Sequence, residues 1–328
     1  MTTPTIKNNK PTILITGSEG SLAQWIINLL RNNYIIIGVD NCNRHGVSSQ
    51  IKNYKFYQLD LTNSMSLDQI FTEQPIDYVL HCAAQIYGVK GFHKYPADIL
   101  ANNIVSTSNI LQKCVTFGVK KISYISSSMV YENCQNFPLK EEYTTKVILP
   151  KTGYGLSKLV GERLVQEFNH QYGLAYVIWR PFNIVTPLEV SEDEPGIAHV
   201  MADFIQKIVV DQCTPVEIFG DGNQTRCFTN INDIADIISK KSFDSITDNQ
   251  VYNVGSEVPT RIIDLAKNIF DKSGRIDQFV ARFTDIYDDD VKMRIPDCTK
   301  ANAIGFKHTK TIDQLVDTCV SVALNHKK

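Results

Sequence analysis

The sequence predicts a doubly wound α/β fold, and three observations lead to this prediction. Short apolar segments alternate with helical stretches through the first 180 residues, as in a buried parallel sheet with helices on both faces. A glycine-containing turn joins the first apolar segment directly to the first helix. After about Arg180 the alternation weakens, which predicts a smaller C-terminal α/β part.

The individual elements follow from runs of apolar and β-branched residues and from the amphipathic stretches between them. The predicted strands are Thr12–Thr16, Tyr34–Val39, Lys55–Gln58, Tyr78–His81, Lys121–Ser126 and Ala175–Trp179. The predicted helices nearest to the candidate site residues are Leu22–Arg31, Ala97–Phe117 and Tyr154–Tyr172.

The composition excludes several classes of protein. Hydrophobic residues make up 43% of the chain, charged residues 21%, and the net charge of -2 argues against a nucleic-acid surface. The eight cysteines lack metal-type spacing, so we expect no metal site and thiols kept in a reducing compartment. No apolar run approaches the ~20 residues of a membrane span, and residues 1–10 lack a signal-peptide core. We therefore expect a cytoplasmic protein that does not bind a membrane.

The turn after the first strand has the small residues that a phosphate-binding turn needs. Gly17 permits a tight turn, Gly20 allows the backbone to approach a pyrophosphate, and Ala23 lets the helix pack on the strand. The helix N-terminus then offers free N–H groups to the phosphates. This context predicts a Rossmann-type dinucleotide site that includes Gly17, Ser18, Glu19, Gly20, Ser21 and Leu22.

Asp40 ends the second strand, 23 residues after Gly17. A carboxylate at that point can accept hydrogen bonds from both ribose hydroxyls of NAD and would repel a 2′-phosphate. NAD is therefore the expected cofactor, although the nearby Arg44 leaves NADP possible. Asn41 is assigned to the same site.

Further candidates follow the next strands, at the edge where open α/β sheets bind ligands. Asp60 and Leu61 follow the third strand and can meet the adenine. Small residues after the fourth strand would let a cofactor lie against the backbone, whereas His81 itself is expected to be a packed strand residue. The cofactor candidates of this strand end are Cys82, Ala83, Ala84 and Gln85, and a run of hydroxyls, Ser126–Ser128, follows the fifth strand.

Tyr154 and Lys158 are four residues apart on a predicted helix and therefore share one face. A phenol has a reference pKa of ~10, so a tyrosine base at neutral pH needs its phenolate favoured by roughly 4 kcal/mol. One ammonium ~4 Å away supplies about that much near a protein surface. The pair therefore predicts a tyrosine base whose pKa is lowered by lysine, although the spacing alone also describes an exposed helix pair.

Together these residues resemble the extended short-chain dehydrogenase/reductase superfamily, in its NAD-dependent nucleotide-sugar epimerase/dehydratase branch. The resemblance spans roughly residues 11 to 307. It also includes segments of the second half of the chain: Arg180-Pro181-Phe182-Asn183, Phe219 to Arg226, Tyr252-Asn253-Val254-Gly255 and Arg294 to Ala301.

The resemblance implies an enzyme in which residues 1–180 bind NAD and residues 181–328 mainly bind a nucleotide-diphosphate sugar. It implies that Tyr154 is the base acting on a sugar hydroxyl, with Ser127 beside it and Lys158 also on the nicotinamide ribose. Asn103 and Phe182 join the cofactor residues, and a homodimer through the two long helices is expected. The implied substrate-binding residues are Ser128, His93, Asn183, His199, Arg226, Arg294 and Asp297.

Departures from the family pattern favour one reaction over others. The 4,6-dehydratases carry Asp-Glu where this chain has Ser128 and Met129, and the 3,5-epimerases carry a cysteine at the second position. The expected activity is therefore that of a UDP-hexose 4-epimerase working through a transient 4-keto sugar. A nucleotide-sugar reductase or dehydrogenase and a 4,6-dehydratase stay as alternatives, and a non-enzymatic NAD-binding regulator is disfavoured by the intact Ser127, Tyr154 and Lys158.

Overall fold

A computed structural model of the chain describes residues 10–44, 46, 54–145, 149–189, 198–285 and 291–326. Its centre is a seven-stranded parallel sheet, which confirms the predicted Rossmann-type α/β fold. The strands are β1 (Thr12–Thr16), β2 (Ile35–Asp40), β3 (Lys55–Gln58), β4 (Tyr78–His81), β5 (Lys121–Ile125), β6 (Ala175–Pro181), β7 (Ile184–Val185), β8 (Val216–Phe219), β9 (Thr225–Arg226), β10 (Thr229–Asn230), β11 (Gln250–Val254), β12 (Thr260–Arg261), β13 (Ala281–Thr284) and β14 (Met293–Arg294). The helices are α1 (Ser21–Leu30), α2 (Ser64–Glu73), α3 (Val89–Lys94), α4 (Pro96–Thr116), α5 (Gly153–Tyr172), α6 (Val200–Phe204), α7 (Ile231–Lys241), α8 (Ile262–Lys272), α9 (Thr299–Ala303) and α10 (Ile312–His326).

The strand order of the main sheet is β3-β2-β1-β4-β5-β6-β11, and every neighbouring pair is parallel. Thr16, the last residue of β1, pairs with Val39 on one side and with His81 on the other. The chain reverses its winding direction at β1, so a crevice opens above the ends of β1 and β4. This switch point is where an open α/β sheet binds its ligand.

Helices cover both faces of the sheet, because the strands are apolar on both faces. All five residues of β1 are buried, and so are all five of β5. On one face α1 and α7 share a core, in which Ile26 lies in the same cluster as Ile234. The other face is covered by α2, α4 and α5, which share a second core with the strands.

The C-terminal part forms a third apolar cluster around α8, α10 and the paired strands β8 and β13. It also contributes β11 to the edge of the main sheet, where Val251 pairs with Ile178 of β6. A strand from beyond residue 180 therefore completes the central sheet. The division of the chain into domains at residue 180 stays a prediction.

The two long helices, α4 and α5, pack against each other and against the sheet. Residues on one face of α4, such as Ile110 and Leu111, are buried, while Val105 on another face is exposed. Among the helices of the described ranges, none combines the length and the apolarity that crossing a membrane requires.

The turn after β1 has a backbone conformation that favours glycine. Gly17 has a φ of 66°, and a Cβ at this position would lie 2.7 Å from the backbone N and Cα of Ala83. Since neither the φ nor the contact tolerates a side chain, the close approach of the first and fourth strand ends depends on this glycine.

We predict that Gly17→Ala destabilises the protein more than Gly118→Ala does. Gly118 has a nearly identical φ of 70°, but a Cβ there would meet no atom within 4 Å. Gly118→Ala should therefore cost only the backbone strain, about 1 kcal/mol. Gly17→Ala adds overpacking worth a further ~1–3 kcal/mol. Urea unfolding of both variants measures the difference, and equal losses would contradict the close packing at Gly17.

Candidate functional site

A cavity of about 710 Å³ runs along the carboxyl ends of the central strands and into the C-terminal part. One end is formed by the Gly17 turn and the end of β2. The middle contains Ser127, Tyr154 and Lys158, and the other end contains Arg226 and Arg294. Residues from most of the chain therefore meet around one continuous space.

The first helix turn offers backbone donors to this cavity. Gly20 precedes α1 in an extended conformation and supplies no side-chain cap, and no acidic residue lies in the first turn. The first N–H groups of α1 therefore have no partner within the helix, and the positive end of its dipole faces the cavity. Such an arrangement suits a pyrophosphate. Of the turn residues proposed for the cofactor, five line the cavity: Gly17, Glu19, Gly20, Ser21 and Leu22.

Asp40 is held in a fixed orientation by the backbone of neighbouring turns. Its Oδ2 accepts a hydrogen bond from the Glu19 N–H at 3.0 Å, and its Oδ1 accepts one from the Cys42 N–H at 2.8 Å. A carboxylate keeps further lone pairs beyond these two bonds, so it can still accept from ribose hydroxyls. Asn41, Asp60 and Leu61 line the cavity beside it, as proposed.

Arg44 lines the cavity, whereas the sequence indicates it only as the residue that leaves NADP possible. Its Nη1 donates to the Ile86 carbonyl at 2.5 Å, and its guanidinium carbon lies 5.7 Å from the centre of the Tyr87 ring. The guanidinium therefore reaches from the end of β2 to the segment that follows β4, and it lowers the pKa of Tyr154 through its charge.

Asn103 fixes the segment after β4, which contains Cys82, Ala83, Ala84 and Gln85. Its Oδ1 accepts from the Gln85 N–H at 2.7 Å, and its Nδ2 donates to the Gln85 carbonyl at 3.2 Å. Nδ2 also donates to the Ser157 hydroxyl at 3.1 Å, which joins α4 to α5. Asn103 and the four residues Cys82, Ala83, Ala84 and Gln85 all line the cavity.

Helix α5 begins at a tight capping arrangement and places Tyr154 and Lys158 against the sheet. The Thr152 hydroxyl accepts from the Gly155 N–H at 3.0 Å and donates to Glu132 at 2.6 Å. Tyr154 is only 3% exposed and stacks on Phe92, with ring centres 5.1 Å apart. The Lys158 Nζ donates to the Ile125 carbonyl at 2.7 Å and lies 6.0 Å from the centre of the Tyr154 ring.

The electrostatics of this pair differ from the prediction that lysine lowers the pKa of the tyrosine. Burial raises the pKa of Tyr154 to about 12, and this effect exceeds the opposing influences of the Ser127 hydroxyl and of the Arg44 and Arg294 charges. Burial lowers the pKa of Lys158 to about 8. Lys158 does not offset this effect through a hydrogen bond to the phenol, because its ammonium donates to the Ile125 carbonyl.

Two arginines form the opposite end of the cavity. Arg294 of β14 pairs in register with Arg226 of β9, so the two guanidinium groups come from adjacent strands. The Arg294 Nη1 lies 3.4 Å from the Ser128 hydroxyl, while Arg226 donates to the Val291 carbonyl at 2.6 Å. Asn183 also lines this end and has a positive φ of 33°. Planar guanidinium groups placed side by side suit the oxygens of a diphosphate.

His199 lines the same end and forms an ion pair with Glu189. Its Nδ1 lies 2.7 Å from Glu189 Oε1, and the same oxygen accepts from the His199 N–H at 3.0 Å. The Glu189 charge raises the pKa of His199. The pKa of Glu189 is lowered to about 2, because the charge and hydrogen bonds of His199 outweigh burial. Neither the sequence pattern nor the spacing of ten residues identified Glu189.

Four of the proposed site residues do not line the cavity. Ser18 and Phe182 are fully buried, and Phe182 packs in an apolar cluster with Val130 and Tyr131. His93 lies on an exposed part of α3, and the Asp297 Oδ1 accepts from the Thr299 N–H at the start of α9. Ser18 and Phe182 do not line the cavity because side chains alternate in direction along these segments. Their neighbours, Gly17, Glu19, Pro181 and Asn183, do line it.

Fold and site together define a Rossmann-type α/β enzyme in which a buried tyrosine and lysine lie beside a dinucleotide-type turn. The chain belongs to the NAD dependent epimerase/dehydratase family, whose model matches residues 13–255.

Individual relatives carry out related reactions. A UDP-glucuronate 4-epimerase from Thermodesulfobacterium geofontis is 34% identical over 234 residues, which are 68% of this chain and 68% of that protein. A dTDP-D-glucose 4,6-dehydratase from Dictyostelium discoideum is 31% identical over 282 residues, covering 80% of this chain and 62% of that protein. The crystal structure of a UDP-glucose 4-epimerase from Thermotoga maritima with UDP-glucose has a TM-score of 0.84 at 27% identity, covering 97% of this chain and all of that one.

We predict that Glu189→Gln lowers the pKa of His199. The wild-type imidazolium is stabilised by the Glu189 charge, so the wild-type residue should titrate above the reference value of ~6.5. The variant keeps the side-chain shape and loses the charge, so the titration should move to lower pH. The Cε1 proton resonance of His199, followed by NMR against pH, reports this, with the exposed Glu142→Gln as the control that leaves it unchanged. An unaltered titration in Glu189→Gln would show that the pair does not form.

Proposed function

We propose that this chain is an NAD-dependent nucleotide-sugar epimerase that inverts C4 of a UDP-hexose through a transient 4-keto sugar. The observation that carries the proposal is that Ser127, Tyr154 and Lys158 line one cavity together with the Gly17 turn and Arg294. The proposed base, a turn of the dinucleotide-binding type and an arginine suited to a diphosphate therefore line the same cavity.

Tyr154 is the proposed base that removes the proton from the sugar hydroxyl and later returns it. Ser127 lines the same cavity and is the proposed hydrogen-bond partner that orients the Tyr154 hydroxyl. Bound NAD⁺ would supply a hydride acceptor and a positive charge. The residues fit such a group: the first turn of α1 is uncapped, Asp40 keeps lone pairs for ribose hydroxyls, and Lys158 lies between β5 and Tyr154.

The pKa of Tyr154 sets a condition on this mechanism. With a pKa of about 12, removing the proton at neutral pH costs roughly 7 kcal/mol. Tyr154 therefore keeps its proton in the protein alone. It can act as a base when further positive charge near the phenol lowers this pKa, and bound NAD⁺ would supply such a charge.

The residues beside Ser127 favour epimerisation over dehydration. Ser128 and Met129 follow it, and both line the cavity without offering a carboxylate. Among the described residues, the carboxylates that line the cavity are Glu19, Asp40, Asp60, Glu189 and Asp203. The relationship to a dTDP-D-glucose 4,6-dehydratase makes dehydration the second candidate, and the side chains at positions 128 and 129 count against it.

The cofactor preference and the substrate class rest on charge. The Asp40 carboxylate would repel the 2′-phosphate of NADP, so NAD is the proposed cofactor. Arg226 and Arg294 would neutralise the diphosphate of the substrate. The uridine base is proposed from the relatives that act on UDP-sugars.

Two further proposals concern the assembly and the compartment. Exposed apolar side chains on or beside α4 and α5, among them Val105, Phe117 and Tyr172, suit a homodimer formed through these helices. All eight cysteines are free thiols, which fits a reducing compartment such as the cytoplasm.

We predict that Tyr154→Phe lowers turnover at least ~100-fold and leaves NAD binding unchanged, because the ring still packs on Phe92 while the transferable proton is lost. Steady-state turnover and NAD titration calorimetry measure the two effects. Tyr176→Phe changes a buried tyrosine that does not line the cavity, so it is the control and should keep full activity. Survival of turnover in Tyr154→Phe would remove Tyr154 from the reaction.

We predict that incubation with UDP-, GDP-, dTDP- and CDP-hexoses gives a product inverted at C4 with the UDP-sugar, with no net consumption of NAD. NMR of the sugar ring protons identifies the product. A 4-keto-6-deoxy product would instead identify a dehydratase, and stoichiometric oxidation of added NADH or NADPH would identify a reductase.

A further inference from the structure

Arg180 and Glu162 form a buried ion pair, and neither residue lines the cavity that contains the proposed reacting residues. Arg180 at the end of β6 is 1% exposed and Glu162 of α5 is 2% exposed. Nε and Nη2 of Arg180 donate to the two carboxylate oxygens of Glu162 at 2.8 and 2.6 Å. The remaining N–H groups donate to the Tyr131 hydroxyl at 2.5 Å, the Glu141 carbonyl at 3.0 Å and the Thr144 hydroxyl at 2.7 Å.

All five guanidinium donors of Arg180 therefore have protein acceptors. The side chain has no N–H group left for a phosphate or a sugar, although Pro181 at the end of its strand and Asn183 just beyond do line the cavity. A bidentate, fully satisfied and buried arginine of this kind holds other protein groups in place.

The groups that this ion pair holds flank the proposed catalytic serine on both sides. The Ser126 hydroxyl donates to Glu162 Oε1 at 2.5 Å, and Ser126 directly precedes Ser127. Tyr131, which Arg180 contacts, ends the short 3₁₀ helix that begins at Ser128. The segment 126–131 is therefore attached to the ion pair at both ends, with Ser127 between the two attachments.

Glu162 also lies on the helix face that carries the other reacting residues. It follows Lys158 by four residues and Tyr154 by eight, so all three lie on one side of α5. One carboxylate thus contacts the strand end that holds Ser127 and lies one helix turn from Lys158.

We propose that Glu162 and Arg180 are positioning residues, and that their ion pair, acting through Ser126 and Tyr131, fixes the Ser127 hydroxyl against Tyr154. The proposal rests on the proposed function for its kinetic consequence. A misplacement of a reacting group by about 1 Å can cost ~100-fold in rate, so two attachments that locate Ser127 have a direct effect on turnover. Replacing a buried ion pair by apolar residues is often neutral for stability, so positioning gives a reason for the pair that stability alone does not.

The carboxylate of Glu162 has a second consequence, at Lys158. Groups from three elements face the Lys158 ammonium: His81 and Cys82 from the end of β4, Tyr124 of β5 with its ring centre 5.2 Å away, and Tyr154 and Glu162 from α5. Burial lowers the pKa of Lys158, and Cys82 and then Glu162 act in the opposite direction. Loss of the Glu162 charge, which also leaves the Arg180 charge unbalanced, should therefore move the pKa of Lys158 to lower pH.

The kinetic test compares Ser126→Ala with Ser123→Ala. Ser123 is a buried serine of β5, the strand that Ser126 directly follows. Its hydroxyl bonds the Ser242 hydroxyl at 2.9 Å and accepts from Trp179 Nε1 at 3.1 Å, away from the ion pair. Both variants lose one buried hydroxyl and leave Glu162 and Arg180 in place. We expect Ser126→Ala to lower kcat ~10- to 100-fold with KM and NAD affinity within about twofold of wild type, and Ser123→Ala to keep wild-type kcat. Equal kcat in the two variants would overturn the proposal.

A second measurement does not depend on turnover. The pKa of Lys158 is followed by NMR of ¹³Cε-labelled lysine in wild type and in Glu162→Gln, with Lys158→Arg identifying the resonance. The variant should titrate at clearly lower pH, and an unchanged titration would overturn the link between Glu162 and Lys158. If the wild-type protein turned over no nucleotide sugar, the proposed function would fail, whereas this titration would still decide whether Glu162 acts on the reacting lysine.

Discussion

Seven strands that run in the same direction end at the same edge of the sheet, and the site depends on that constraint. Gly17, Asp40, Cys82 and Ser127 are separated by up to 110 residues in sequence, yet each follows or ends a strand and reaches the same cavity. The C-terminal part depends on the same sheet, because β11 adds to its edge and α7 covers one face. The parallel sheet therefore determines which chemical groups can meet.

Burial then determines what these groups can do. Taking Tyr154 and Lys158 out of water favours the neutral form of each, which raises the pKa of the phenol and lowers that of the ammonium. Arg44 and Arg294 oppose the first effect and Glu162 opposes the second. The site is thus a set of desolvated groups balanced by fixed charges, in which a modest change of charge alters the proton affinity of the reacting residues. This balance explains why a single carboxylate, Glu162, can matter at a distance from the substrate.

Features encoded by short-range patterns could be read from the sequence, and features made by long-range contacts could not. The β1–α1 turn and the pair Tyr154 and Lys158 each depend on neighbours within a few residues, so their spacing predicted where they lie. Ser18 and Phe182 were placed on the cavity because their segments reach it, but alternation turns both side chains away.

The contacts that hold the site were harder to foresee. Glu162 and Arg180 are 18 residues apart and meet only because α5 packs against β6. The four-residue step from Lys158 to Glu162 was the only local sign of that pair. Likewise, no pattern joined Glu189 to His199, since the two residues meet only because both lie at the cavity.

The proposed mechanism requires that Tyr154 takes a proton from a sugar oxygen and that no carbon-bound hydrogen of the sugar exchanges with water. The most direct test is to let the enzyme equilibrate its nucleotide sugar in D₂O and to analyse the ring carbons by ¹H NMR and mass spectrometry. We expect inversion at C4 with the original hydrogen retained and no deuterium on any ring carbon. Deuterium at the inverted carbon would mean that the proton is removed from carbon, and it would contradict the proposed roles of Tyr154 and of the cofactor.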